Sequence, residues 1–389
     1  MKKYFGMGVN ELDTYLDYTL FSVLILYVFH ASPSHVGWMG ACFAIPFFFS
    51  SHLFGIIVDG GNIFLWRAIF FTINIIAMPF VSMGHHEIIL YIVILIKMTA
   101  RCGISISNAK LNDNDEGSRD FYKIYGYLVN MSRIVMPLVV IFFFNYYGIL
   151  FVIFLSMLLN ALGVYCSVKG EGHCHKNNLT ANKKNAHGYS FWIIFRENHQ
   201  VALLITTYTV VSLAFFLSSD MLTVFFSVIG EDKSSMGLIV SLLGCGGTIG
   251  TKWVSELIKN IEIEQVFFIS VFIYLLSFSC FAFLSVVDTP VLIFYVAIIC
   301  VGMASAMTFF AIRYGVRHIF GFEHVGKAMG TVQMLSAIIA ILMPILGGYI
   351  SGYFSITITF RITVLILGAI LTYALLSLRW RNKGEDKYV

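Results

Sequence analysis

Asn10, Asp13 and Asp17 stand at i, i+3 and i+7, and from Tyr18 to Ala31 the chain continues for fourteen residues without a charge. On a helix that spacing gathers the three side chains on one face. A carboxylate at the centre of a bilayer helix costs roughly 2.5–3.5 kcal/mol even on lenient insertion scales, so two on one stripe must face protein or water. Such acids form a static ion pair, meet a cationic ligand, or exchange a cationic partner for a proton. Each of these needs a partner. Lys97 and Arg101 form an i, i+4 pair on one helix face, and Arg133 stands one turn before Pro137.

The elements that must hold these charges follow from composition. The chain has 389 residues, 58% hydrophobic and 12% charged, with 37 Phe and a mean hydropathy of +0.84, which no soluble globular protein matches. Apolar runs of about 20 residues recur throughout, the length that crosses a bilayer as a helix. The runs are continuous rather than alternating, which excludes a transmembrane barrel. The net charge of +4 is spread over loops, so it does not point to nucleic acid. The seven cysteines lie mostly inside apolar runs without paired spacing, which reads as buried thiols rather than a disulfide framework. Glu11, Asp13 and Asp17 interrupt the apolar core that a signal peptide would need.

Hydropathy predicts twelve spans, at 8–30, 35–58, 62–83, 86–109, 123–145, 148–168, 200–228, 235–258, 262–285, 290–313, 326–350 and 355–378. The even-numbered loops and both tails carry nearly all the Lys and Arg, whereas the odd-numbered loops hold Lys233 alone. By the positive-inside rule both termini are cytoplasmic. The expected organisation is a six-helix bundle over 1–168, a cytoplasmic linker over 169–199, a second bundle over 200–378 and a cytoplasmic tail over 379–389. His173-Cys174-His175 offers soft ligands, but adjacent ligands in a flexible loop rarely complete a tetrahedral set, so no metal or other cofactor is expected. Span 5 holds Pro137 and span 11 holds Pro344 at the same relative place, a trace of duplication that suits a transporter with its site near the midplane.

Twelve spans, a basic central loop and Gly55-Ile56-Ile57-Val58-Asp59 leaving span 2 resemble the major facilitator superfamily. The basic pair that usually follows is replaced by Gly60-Gly61-Asn62. Asp17, Asn130-x-x-Arg133-x-x-x-Pro137 and Arg313…Gly326-Lys327 resemble the branch of macrolide efflux pumps and the enterobactin exporter, although Met136 stands where exporters carry Gly before Pro. The resemblance implies an all-α fold of two pseudo-symmetric six-helix bundles, with spans 1, 4, 7 and 10 lining a central cavity. At about 1.5 Å per residue, Asp17 then matches Lys97 in depth and Asp13 matches Arg101.

The expected function is proton-coupled secondary transport of a small organic anion, such as a carboxylate-type siderophore, across a bacterial inner membrane by a monomer, with export favoured over uptake. Two acids against three bases, with Arg133 counted, leave surplus cation for an anionic substrate. Asp17 and Asp13 are the expected coupling groups. Asn10, Lys97, Arg101, Asn130, Arg133, Tyr208 and Asp220 are the expected cavity residues, and Gly55 with Asp59 the expected gate. Gly244-Cys245-Gly246-Gly247-Thr248-Ile249-Gly250 lies within an apolar run and reads as a close helix contact rather than a nucleotide loop. No motif of an intramembrane enzyme is present. The alternative reading is efflux of amphipathic cationic drugs or macrolides, with Asp17 meeting the cation.

Overall fold

The structure, a computed structural model, describes residues 2–60, 62–83, 86–110, 118–170, 199–258 and 260–385. All regular structure among them is helical. The helices are α1 (Lys2–Val23, continued by a π-turn over Leu24–Val28), α2 (Pro33–Gly60), α3 (Ile63–Ala77, continued as 3-10 helix over Met78–Met83), α4 (Glu87–Lys110), α5 (Ser118–Tyr147) and α6 (Ile149–Gly170). After these come α7 (His199–Ser218), α8 (Met221–Val228), α9 (Lys233–Leu257), α10 (Ile263–Phe283), α11 (Val291–Tyr353) and α12 (Ile356–Glu385). Among the described residues, ten helical stretches are long and apolar enough to cross a membrane. The first two helices bring the count to the expected twelve, α1 with its three acids and α2 with its polar Pro33-Ser34-His35 opening. The His173-Cys174-His175 segment lies outside the described residues.

Local chemistry sets the boundaries. Asn62 caps α3 by accepting from the amides of Phe64 (3.0 Å) and Leu65 (3.4 Å), and Asp232 caps α9 by accepting from Ser234 (3.0 Å) and Ser235 (3.2 Å). Gly148 (φ 77°) and Gly230 (φ 86°) take the left-handed backbone that ends α5 and closes the turn after α8.

Spans 10 and 11 were expected as separate elements, whereas α11 is helical over all 63 residues from Val291 to Tyr353. Its two apolar stretches, Val291–Gly315 and Leu335–Tyr353, nevertheless run in opposite directions. Along the first, Phe309 meets the Tyr208 ring and Phe294 meets Phe225, antiparallel to α7 and α8. Along the second, Ser336 bonds Tyr208 (2.9 Å) and Gly347 abuts Leu217, parallel to α7. The chain therefore reverses between them, as two spans require.

Helices α1–α6 pack among themselves, as do α7–α12, giving two six-helix bundles. The bundles meet through α2 against the second stretch of α11 and through α5 against α9. In a six-plus-six repeat these two contacts are images of each other. The detail agrees: a Cβ on Gly37 would strike the carbonyl of Pro344, and one on Gly237 would strike the Ile141 side chain and press on the carbonyl of Pro137. Each glycine thus lets a backbone approach the proline turn of the cognate helix in the other half. Within the second bundle, Gly246 and Gly250 of α9 sit on the Ile299 and Met303 backbone of α11, the close approach expected of that Gly-rich run.

Gly37→Val and Gly237→Val should each cost about 1–3 kcal/mol through overpacking. Gly352 and Gly368 have open space beside them, so alanine there is the control. Thermal unfolding in detergent, followed by size-exclusion chromatography, should show a lower midpoint for the two valine variants only. Equal midpoints for all four would contradict the contact.

Candidate functional site

The charges of α1 and α4 form one knot. The Lys97 Nζ lies 2.7 Å from the Asp17 carboxylate and 3.6 Å from that of Asp13. Arg101 Nη2 lies 2.6 Å from each. Ser156 of α6 ties the knot to a third helix: its Oγ accepts from Lys97 (3.0 Å) and donates to Asp13 (2.5 Å). Met78 closes it from the α3 side, with its sulfur 3.3 Å from Lys97 Nζ. All four charged side chains are at most 2% exposed. The depth-matched partners, Asp17 with Lys97 and Asp13 with Arg101, are brought together, and each base also reaches the other acid. The knot holds two acids and two bases, so it is formally neutral.

A separate cavity lies between the halves. Its volume is about 640 Å³, and among the described residues its charged lining is Glu11, Arg133 and Arg313. Aromatic walls come from Tyr15, Phe215, Phe216, Phe309 and Phe310, with Asn130 and Thr251 as further polar groups. The same helix α1 serves both places because it presents opposite faces. At about 100° per residue, Glu11 and Tyr15 lie roughly 200° from Asp13 and Asp17. One face looks into the knot and the other into the cavity.

Within the cavity, the Tyr125 hydroxyl donates to the Glu11 carboxylate (3.2 Å), and Asn130 Nδ2 donates to Thr251 (3.2 Å) across the two halves. Arg133 places its guanidinium 5.9 Å from the centre of the Tyr15 ring, and its buried Nε has no hydrogen-bond partner among the described residues. An arginine aimed at open space over an aromatic face is a ready anion receptor.

The other expected residues have definite places. Asn130 and Arg133 line the cavity, whereas Lys97 and Arg101 stand behind it in the knot. Asn10 is buried, donates to Glu11 (3.3 Å) and leaves its Oδ1 without a partner among the described residues. Tyr208 is buried against Ser336. Asp220, at the break between α7 and α8, accepts from Tyr18 (3.2 Å) beyond the cavity. Gly55 and Asp59 lie in the last turns of α2, and their side chains fall outside the described residues. Two charged lining residues, Glu11 and Arg313, were not among the expected cavity residues. Glu11 has a signal in the sequence, since it shares a face with Tyr15; the lining phenylalanines have none among 37.

The sequence matches the family model described as Major Facilitator Superfamily over residues 5–314 and, in a second match, 266–388. No curated protein matches it in sequence. Among solved structures, the nucleoside transporter NupG superposes with a TM-score of 0.71 at 16% identity, over 97% of this chain and 98% of that one. The human organic anion transporter MFSD10 (TETRAN) gives 0.74 at 12% identity, over 96% and 98%. A bacterial homolog of the human lysosomal transporter Spinster, in an inward-facing and unoccupied conformation, gives 0.68 at 13%, over 97% and 96%. Identities this low carry the fold and nothing finer.

Neutralising one member of the knot leaves an unbalanced buried charge, which costs about 3–5 kcal/mol. Asp17→Asn alone should therefore lower stability sharply, and adding Lys97→Met should restore part of it. A double-mutant cycle in thermal stability checks this. Strictly additive losses would mean that the two side chains do not interact.

Proposed function

We infer function from one premise: the chain belongs to the major facilitator superfamily. It is a multi-pass membrane protein with the fold of secondary transporters of small solutes. Its solute, in our reading, is a small organic anion with an apolar or aromatic body, a class that includes carboxylate-type siderophores. The observation that carries this reading is Arg133, half-buried at the cavity wall, whose Nε has no hydrogen-bond partner among the described residues. Among the described lining residues Arg133 and Arg313 outnumber Glu11, so they leave one cation to spare. A carboxylate would pair with Arg133, while the phenylalanines would cover the rest of the ligand.

Transport follows from alternating access. On one side of the cavity the halves meet at Tyr18–Asp220, Tyr27–Glu231, Gly37–Pro344 and Gly348–Pro33. With cytoplasmic termini, as the loop charges favour, this closed side is the outer one. Rocking the halves about the α2–α11 and α5–α9 contacts would open it and close the other. We place coupling to protons in the knot: Asp13 and Asp17 share Lys97 and Arg101 between them, so a shift of α1 against α4 would leave a carboxylate to take a proton in place of its cation. The membrane is the bacterial inner membrane and export is the favoured direction, on the resemblance to exporters. Glu11 among four phenylalanines favours a second reading, uptake of an amphipathic cation for efflux.

One flux experiment separates the two readings. In proteoliposomes with an imposed pH gradient, citrate and salicylate serve as anionic probes and ethidium as the cationic one. An anionic probe should move, and Arg133→Gln should slow it at least tenfold. Ethidium flux that ignores Arg133→Gln, with both anions inert, would establish the cation reading instead.

A further inference from the structure

Asp220 is a buried carboxylate with a place in neither the cavity nor the knot. It lies at the break between α7 and α8, is 9% exposed, and faces the other half of the molecule. One oxygen accepts from the Tyr18 hydroxyl of α1 (3.2 Å), and the other is crowded against Gly40 of α2, where a Cβ would strike it. It caps α8 without bonding that helix's amides, so the carboxyl group is turned away from α8 and toward the interface.

We propose that Asp220 is a proton-binding latch: closing the side that carries Tyr27, Gly37 and Gly348 loads a proton onto Asp220, and opening that side releases it. The proposal needs only the two-half architecture, and stands apart from both the substrate class and the coupling role of the knot.

The argument is one of charge. The acids of the knot meet two bases at short range, whereas no cation lies within ion-pair distance of Asp220 among the described residues. The charged and titratable groups on neighbouring elements are engaged elsewhere. Lys233 at the start of α9 lies over the Phe144 ring, and Glu231 accepts from Ser235. Asp232 caps α9. His35 of α2 pairs with Glu87 and Arg361 of α12 donates to the Ala282 carbonyl, while Arg133, over Tyr15, faces the cavity, which Asp220 does not line. Cys42 of α2 is a buried thiol and brings no charge. The N-terminus of α8 adds a partial positive charge of about +0.5, short of a full counter-ion. A lone buried carboxylate is therefore held as the neutral acid, hydrogen-bonded to Tyr18. When the halves part, water reaches the group, the O–H bond breaks and the proton passes to that water. The carboxylate so formed resists burial, and the side stays open until a proton returns from water.

Hydrogen–deuterium exchange on the full chain in detergent tests this without a substrate. Labelling times at pH 5 to 8 are scaled for the intrinsic pH dependence, and the peptides covering Phe29–Ser34 and Met221–Val228 are followed. One linked proton means that opening rises up to tenfold per pH unit through the working range. Wild type should show that slope, Asp220→Glu should keep it, and Asp220→Asn should be flat and well protected, since the amide mimics the neutral acid. Tyr18→Phe should lose protection at every pH while keeping the slope. A flat wild type would overturn the proposal before any variant is made. So would an Asp220→Asn protein that keeps the slope, or an Asp17→Asn protein that alone abolishes it, which would assign the proton to the knot.

Discussion

Four full charges on α1 and α4 are enclosed by helices whose outer faces must meet hydrocarbon. Taking them out of water is tolerable only because two acids and two bases stand within about 4 Å of one another and Ser156 fills a remaining bonding position. That requirement fixes three helices together. α1 and α4 must keep their depth match, and α6 must stay within reach of both. Because α1 spends its Asp13–Asp17 face on this knot, its opposite face, with Glu11 and Tyr15, is left to line the space between the halves. A rigid first half with one exposed polar wall is what a rocking mechanism needs.

The contacts between the halves are of a different kind. They combine neutral hydrogen bonds, such as Asn130 to Thr251, with glycine meeting a proline turn, Gly37 on Pro344 and Gly237 on Pro137. Such surfaces fit closely when shut yet, among the described residues, hold no buried ion pair that would have to be broken to separate them. The ionic bonds thus lie within a half, and the separable packing lies between halves. The cavity falls at the junction, with Arg133 aimed into it from α5.

The span pattern, the duplication and the partnership of Asp13 and Asp17 with Lys97 and Arg101 were legible in the sequence, because each leaves a periodic or charge-based trace. Helical spacing put the acids on one stripe, and loop lengths with a rise per residue set the depths. What was not legible is which way each stripe faces. Arg133 reads from composition as a third base for the two acids, yet it lies across α1 from them, over Tyr15. Depth is a one-dimensional quantity, and helix rotation is set by packing that no spacing records. The phenylalanine wall was equally silent, since Phe215, Phe216, Phe309 and Phe310 differ in no sequence property from those that face lipid. The helical backbone that persists through the reversal between Gly315 and Leu335 also escaped notice, because a polar stretch between two apolar runs reads as a loop whether or not its backbone is helical.

The separation of knot from cavity is tested most directly by a membrane-impermeant, positively charged thiol reagent applied to permeabilised membranes. Phe310→Cys places a thiol on the cavity wall, and Ser156→Cys places one inside the knot. Labelling is read above the background of the native cysteines. The Phe310→Cys protein should react rapidly and the Ser156→Cys protein at background rate, since the knot is closed to water on every side. Comparable labelling of the two would show that the four charges line the aqueous path, and that knot and cavity are one site.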